Sequence, residues 1–535
     1  MPGGLLQLSA YGSASTYLHT NPEITFWKQV WRRSTAFALE SIEMPFSGGA
    51  ANFGVKVTAP ISKGADMAHR AWLEITLPDL ADYSTSHITA TSSQPLIQRA
   101  YIDGDFVRIR VAPPAGGPPS GSWAALVGIS GWYKIKANGT FLGTDSENDT
   151  LFQIGSGEYT DHAIPKADIP AAWTNVPVQL TAVAVDSSFA NPSTESMART
   201  VLNLKWTNSI GHAIVESAEW EVGGTRIDKI PSDFMDAWSE LTEKEEKRLG
   251  FNSMVGKYDN YDIYDETKSN RGAKTYFVPL LFSFCQSPSQ SIPIISLQFH
   301  DTRLNINFRE ALDLVKCNLP VSALIGPTGL PISMTNCQLY ADMVFLDTEE
   351  RRRMSSMEHE QLITQIQYLG DYTIAPNDPG LVKKIPLDGL NHPIKELIFI
   401  YQGYTRYQRN AVTGNDWFNY QLADAHEDAF LNVRLTLNGT ERMPPRTGQY
   451  FRQVQPYQHH TRVPTKHVLC YNFGLEPESA NPTGSCNFSR LEQASLNVTL
   501  SPNIDVNGGK IKVYALGYNV LRYAQGLAGL AFSSG

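Results

Sequence analysis

Apolar residues alternate with polar ones along several separate stretches of this chain. Ala218, Trp220 and Val222 alternate with Ser217, Glu219 and Glu221. Leu304, Ile306 and Phe308 alternate with Asn305 and Asn307. Leu431, Val433, Leu435 and Leu437 alternate with Asn432, Arg434, Thr436 and Asn438. Leu496, Val498 and Leu500 alternate with Asn497 and Thr499. A period of two puts one face of a strand on a core and leaves the other polar, whereas an amphipathic helix would repeat every ~3.6 residues. Turn formers separate such stretches: Gly223-Gly224, Asn438-Gly439 and Asn507-Gly508-Gly509. Many strands punctuated by turns predict an all-β chain built of sandwiches or jelly rolls.

Two segments read as helices instead. Residues 232–249 have Ser232 as N-cap, acids early, Lys247 and Arg248 late, and Gly250 as a stop. Residues 347–367 open with Asp347 and Glu350 in capping-box spacing and run through Arg351, Arg352 and Arg353.

The chain also repeats itself faintly. The strand and turn from Trp220 to Arg226 match those from Leu435 to Glu441, and an aromatic stretch follows each, Phe234 to Trp238 and Tyr450 to Tyr457. Phe282 to Phe308 and Phe473 to Leu500 then share a strand, a Pro-containing loop and a closing strand. The common order predicts two related β domains in tandem within 535 residues, a length that suits two large domains. The first is expected over residues 24–308 and the second over residues 337–525. Residues 309–336, with Gly326-Pro327 and Gly329-Leu330-Pro331, are expected as linker. Residues 1–23 are expected as an N-terminal arm and 526–535 as a tail. Residues 79–205 have no counterpart in the second half and are rich in Gly, Pro, Ser and Thr. They predict a projection carrying a small β unit, since lengthening an exposed loop costs little closure entropy.

Charge and composition exclude several functions. The formal net charge of -9 leaves no basic face for phosphate, so sequence-specific nucleic-acid binding is not expected. Charged residues make up only 18% and aromatics 10%, the bias of surfaces that partner chains cover. Cys285, Cys317, Cys337, Cys470 and Cys486 form no Cys-x-x-Cys pair and predict reduced, mostly buried thiols. The opening residues lack the charged and apolar regions of a secretory signal, no run reaches the ~18 residues of a membrane span, and a protein soluble at synthesis is expected.

No catalytic motif occurs: no Gly-x-Ser-x-Gly, no P-loop, no His-Glu-x-x-His. His459, His460, His467 and Cys470 fit no zinc spacing and read as structural, so neither a metal nor a cofactor is expected. Asp301 and Asp342 stand alone in strand contexts. Arg351, Arg352 and Arg353 read as a solvated or intersubunit salt-bridging face. Five Asn-x-Ser/Thr sequons occur, at Asn138, Asn148, Asn438, Asn487 and Asn497; Asn138 and Asn148 are the best placed for glycosylation. Trp123, Trp132 and Tyr133 in the projection could stack on sugar rings, which gives an alternative reading as a glycan-binding host-attachment protein; such residues also suit the core of a small barrel.

Longer motifs add a resemblance. They include Gly3-Gly4-Leu5-Leu6-Gln7-Leu8, Pro22 to Lys28 with Trp31-Arg32-Arg33, Asn208 to His212, and Gly223 to Asp228. Leu339 to Asp342, Leu346 to Arg353, Asn391 to Glu396, Val454 to His460, Pro482 to Arg490, Tyr518 to Arg522 and Gly526 to Gly529 follow in order. With these the chain resembles the double jelly-roll major capsid proteins of large double-stranded DNA viruses of eukaryotes. It departs from them at Ser13-Ala14-Ser15, where relatives often carry a Gln-Asp pair. The resemblance implies two tandem eight-stranded jelly rolls. It further implies homotrimeric capsomers of near-hexagonal outline that tile an icosahedral shell, with assembly in the host cytoplasm and a place in the virion. Neighbouring trimers, minor capsid and penton proteins are the implied partners, together with the inner viral membrane through the arm. No enzymatic activity is implied.

Overall fold

The structure is a computed structural model. It describes residues 3–22, 33–80, 204–258, 272–317, 331–378, 380–422 and 427–532, with the short pieces 84–85, 106–109, 131–134, 153–154, 162–163 and 324–325.

Two antiparallel sheets make the first unit. One runs in the order Phe37–Met44, Asn336–Leu346, Met67–Leu77, Lys274–Pro279; the other in the order Thr225–Pro231, Val215–Val222, Thr302–Phe308, Lys56–Pro60. The second unit repeats this plan. One sheet runs His359–Tyr368, Gly509–Ala524, Pro393–Gly403, Leu469–Asn472, and the other Val382–Pro386, Ala494–Leu500, Phe430–Leu437, Thr440–Glu441. Taken in chain order, each of these eight strands of the first unit has its counterpart at the same sheet position in the second. Short segments such as Tyr372–Ile374, Cys486–Asn487 and Leu527–Leu530 extend the second unit's sheets to seven and five members. The turns that betrayed the repeat are equivalent hairpins: Gly223 and Gly224 have φ of 56° and 82°, Asn438 and Gly439 have 47° and 77°. Positive φ at both central residues gives the turn whose twist matches its flanking strands.

Several boundaries differ from those expected. Asn336–Leu346, expected to open the second roll, is a central strand of the first, paired with Met67–Leu77 on one side and Phe37–Met44 on the other. The stretch expected as linker is partly built in: Val315–Lys316 pairs with Lys205–Trp206, and the Cys317 amide donates to the Ala411 carbonyl. Leu527–Leu530, expected in the tail, is a strand folded back on Leu521–Ala524. Within the projection the described strands pair Phe106–Ile109 with Gly131–Lys134 and Gln153–Ile154 with His162–Ala163. The arm carries two short helices, Gly3–Ser9 and Ser13–His19.

Both expected helices stop early. Ser232–Thr242 ends because the Arg462 amide from the second unit donates to the Leu241 carbonyl, the acceptor that another helical turn would need. The chain re-enters helix at Arg248–Val255, passes through Gly250, and stops at Gly256 in the left-handed conformation at φ 70°. At the start of Ser232–Thr242 the N-cap is Pro231 rather than the expected Ser232, whose hydroxyl accepts a hydrogen bond from Arg309 at 2.6 Å. The second helix covers only Thr348–Ser356; His359–Tyr368 is a strand along Gly509–Ala524. Its β-branched Ile363, Thr364 and Ile366 suit a pleated surface better than a helix.

Candidate functional site

The second unit's strand Pro393–Gly403 is buried on both faces. Leu397, Phe399 and Tyr401 pack in the second unit's core, while Ile398 and Ile400 join the core of the first. Gly509–Ala524 divides likewise, with Ile511, Val513 and Ala515 turned one way and Tyr514 and Leu516 the other. One sheet thus serves two cores, and the two rolls form a block with a continuous apolar seam. Burial on both faces explains the nearly unbroken apolar run from Leu397 to Tyr401.

Helix Ser232–Thr242 lies in that seam, and every residue from Ser232 to Leu241 is buried. Its acids lie along one side and reach into the second roll. Asp233 pairs with Lys512, and Asp236 accepts from Lys466 at 2.7 Å through both carboxylate oxygens. Glu240 accepts from Thr465 and also pairs with Lys257. Burial pushes the Asp236 carboxyl up, but the Lys466 ammonium, His212 and Lys257 outweigh it and hold the group well below the usual carboxylate range. Buried ions with these partners fix one docking geometry, because a shifted register would leave charges unpaired.

A second buried cluster adjoins the helix. His460 Nε2 lies 2.7 Å from Glu396 Oε1 and its Nδ1 3.0 Å from Glu478 Oε1, with Trp238 edge-on to its ring. Burial opposes the charged imidazole; the Glu396 and Glu478 carboxylates prevail and raise its pKa to about 12. Lys395, buried beside them, is lowered to about 8 by desolvation. Of the histidine and cysteine group noted in the sequence, Cys470 lies beside His460, whereas His459 bonds the Leu475 carbonyl and His467 lies 3.3 Å from Asp428. Sequence reasoning missed Glu396 as a partner of His460. The available signal was the pair Lys395-Glu396 at the head of an apolar strand.

The remaining candidates are accounted for locally. Arg351 to Arg353 are exposed, and Arg351 in addition grips the buried Asp66 through two 2.8 Å contacts and so ties its helix to the first roll. Arg352 pairs with Glu349 one turn earlier at 3.3 Å. Asp301 pairs with Lys63 at 2.9 Å, and burial raises the Asp342 carboxyl against the opposing charges of His69 and Arg70. Asn438 caps Glu492 and Gln493, and Asn497 bonds Thr436. Asn138, Asn148 and Trp123 lie outside the described residues, while Trp132 and Tyr133 lie on the strand Gly131–Lys134. A crevice of about 1140 Å³ opens along the seam. Its charges are engaged with each other, Arg409 with Asp313 and Lys510 with Asp371 at 2.7 Å.

Among the described residues two outer surfaces have no cover. Strand Phe37–Met44 forms a sheet edge with Phe37 and Leu39 each 58% exposed, and the arm exposes Leu5, Leu6, Leu8 and Tyr11. Unpaired edges and contiguous apolar side chains invite another chain. Among the described residues no helix is long and apolar enough to cross a membrane.

Twin rolls of one topology, locked by a shared sheet, match known proteins throughout. The family described as "Major capsid protein N-terminus" matches residues 25–104 and 171–347, and "Large eukaryotic DNA virus major capsid protein" matches residues 350–529. The junction between the two matches falls just after strand Asn336–Leu346, where the first roll ends. The major capsid protein of Pyramimonas orientalis virus is 30% identical, with all of both chains covered. This chain belongs to the major capsid proteins of large eukaryotic DNA viruses. The major capsid protein of Phaeocystis pouchetii virus is 29% identical over the full length of both chains. Among solved capsid protein structures, the PBCV-1 virus capsid chain superposes with a TM-score of 0.61 at 23% identity, covering 95% of this chain and all of that one. The Faustovirus major capsid protein gives 0.62 at 11%, covering 97% and 96%. The fold is therefore the double jelly roll of these capsid proteins.

Proposed function

We propose that three copies of this chain form a capsomer of near-hexagonal outline and that such capsomers tile an icosahedral shell. One observation carries the proposal: the two rolls have the same strand order and are fused by a sheet belonging to both cores. Three such rigid blocks around a three-fold axis present six similar barrels, and a six-lobed unit packs in a plane with repeating heterologous contacts. The exposed edge Phe37–Met44 supports burial against a neighbouring copy, and permanent contacts of this class cover upwards of ~2,000 Å².

The arm helices, with Leu5, Leu6, Leu8 and Tyr11 in solvent, serve contacts made only in the shell: neighbouring capsomers, minor capsid and penton proteins, or the inner membrane. Assembly takes place in the host cytoplasm, and the projection 79–205, with its acceptors Asn138 and Asn148, faces outward. The test is assembly with and without residues 1–20. Full-length protein gives six-lobed particles by electron microscopy and, with its viral partners, closed shells. The deletion gives the same six-lobed particles but fails to close shells; normal shells from it would refute the arm's role.

A further inference from the structure

We infer that Glu396, His460 and Cys470 form a binding site for Zn²⁺ inside the seam. The inference is independent of the capsid reading. One ligand atom from each of the three lies within 4.8 Å of the others. Zinc held at about 2.0–2.3 Å from N, O and S donors needs tetrahedral ligand pairs roughly 3.3–3.8 Å apart, so closing the site takes side-chain shifts of about 1 Å.

The register builds the site. Glu396 faces Asn472 and Ile398 faces Cys470 across antiparallel strands, so period two puts Glu396, Cys470 and Asn472 on the same side of the sheet. That side meets the first roll. His460 arrives from the residue after helix Gln455–His459, and Trp238 closes over its ring. A mixed carboxylate, imidazole and thiolate set suits a borderline-soft ion such as zinc.

Two observations point to a missing ligand. The Glu396 side chain is fully buried, yet its Oε2 has no hydrogen-bond partner while Oε1 meets His460. Asn472, also buried, leaves its Oδ1 unpartnered while its amide nitrogen faces the Cys470 sulfur at 3.7 Å. Buried acceptors without partners are costly and call for an occupant, and Asn472 Oδ1 or a water can complete four-coordination. Glu478 at His460 Nδ1 is the carboxylate that orients a metal-bound imidazole from behind.

Both ring nitrogens of His460 face carboxylates, so a proton stands between Nε2 and Glu396. Zinc displaces that proton and the thiol proton of Cys470, and both leave to solvent.

The test uses the full chain expressed with added zinc, then exchanged into Co²⁺. The site predicts one zinc per chain by elemental analysis, release of two protons on reloading, and a thiolate-to-cobalt charge-transfer band. Cys470→Ser, a near-isosteric change, keeps the fold by circular dichroism but loses the band and at least tenfold in zinc affinity, whereas Cys337→Ser loses neither. Zinc-free protein from zinc-rich medium that takes up no Zn²⁺ on refolding with it overturns the inference. So does a cobalt band that survives in Cys470→Ser.

Discussion

Asp228 shows how one side chain can cost stability in order to hold a shape. Its Oδ1 accepts from the Lys229 amide at 2.9 Å and from the Ile366 amide of the second roll at 3.1 Å. Burial raises its pKa from 3.8 to about 7. Between those values the unfolded chain has lost the proton and the native chain has kept it. Native protein then binds more protons, so stability falls as pH rises, and the loss is complete above about pH 7. A shift of this size is worth on the order of 4 kcal/mol. Asp228→Asn retains the acceptor and removes the charge. It is expected to raise the melting temperature by several degrees at pH 8 and by much less at pH 5, as followed by calorimetry. An equal effect at both pH values would contradict the assignment. The sequence placed Asp228 in a family motif but gave no sign of burial, because its partner Ile366 lies 138 residues away.

The strands were legible at the level of single elements wherever one face met a core and the other met solvent. Val215–Val222, Thr302–Phe308, Phe430–Leu437 and Ala494–Leu500 all fall where alternation put them. Helix ends were not, since the competing bonds are long-range: local propensity carries Ser232–Thr242 onward, and Arg462 from the other roll stops it. Gly250 offered a plausible stop, but Gly256 is the residue in left-handed geometry. A Cβ there would sit 2.6 Å from the Tyr276 ring and 2.7 Å from Ile210. Gly256→Ala combines left-handed strain with overpacking and should cost roughly 2–4 kcal/mol in denaturant unfolding, with the slope m unchanged. A cost under about 0.5 kcal/mol would mean that the turn relaxes freely. The same locality hid Glu396 from His460 and Cys470: strand register sets Glu396 beside Cys470, and the end of helix Gln455–His459 brings in His460.

The tandem repeat, visible as two weakly matching hairpins, extends among the described residues to eight strands of each unit in matching sheet positions. What the sequence could not supply was the sharing of one sheet by two cores, because a strand buried on both sides reads the same whichever neighbour covers it. Nor could it show that Asn336–Leu346 closes the first roll, since that strand follows a long excursion and resembles a new beginning. The seam matters for assembly: a hinged pair of barrels would lose orientational entropy at every lattice contact, whereas a rigid block has already lost it on folding. The central claim is that three such blocks close into a ring. Light scattering on the purified full-length chain tests it directly. The account predicts a mass of three times 59.3 kDa that persists on dilution, and a monomer at every concentration would contradict it.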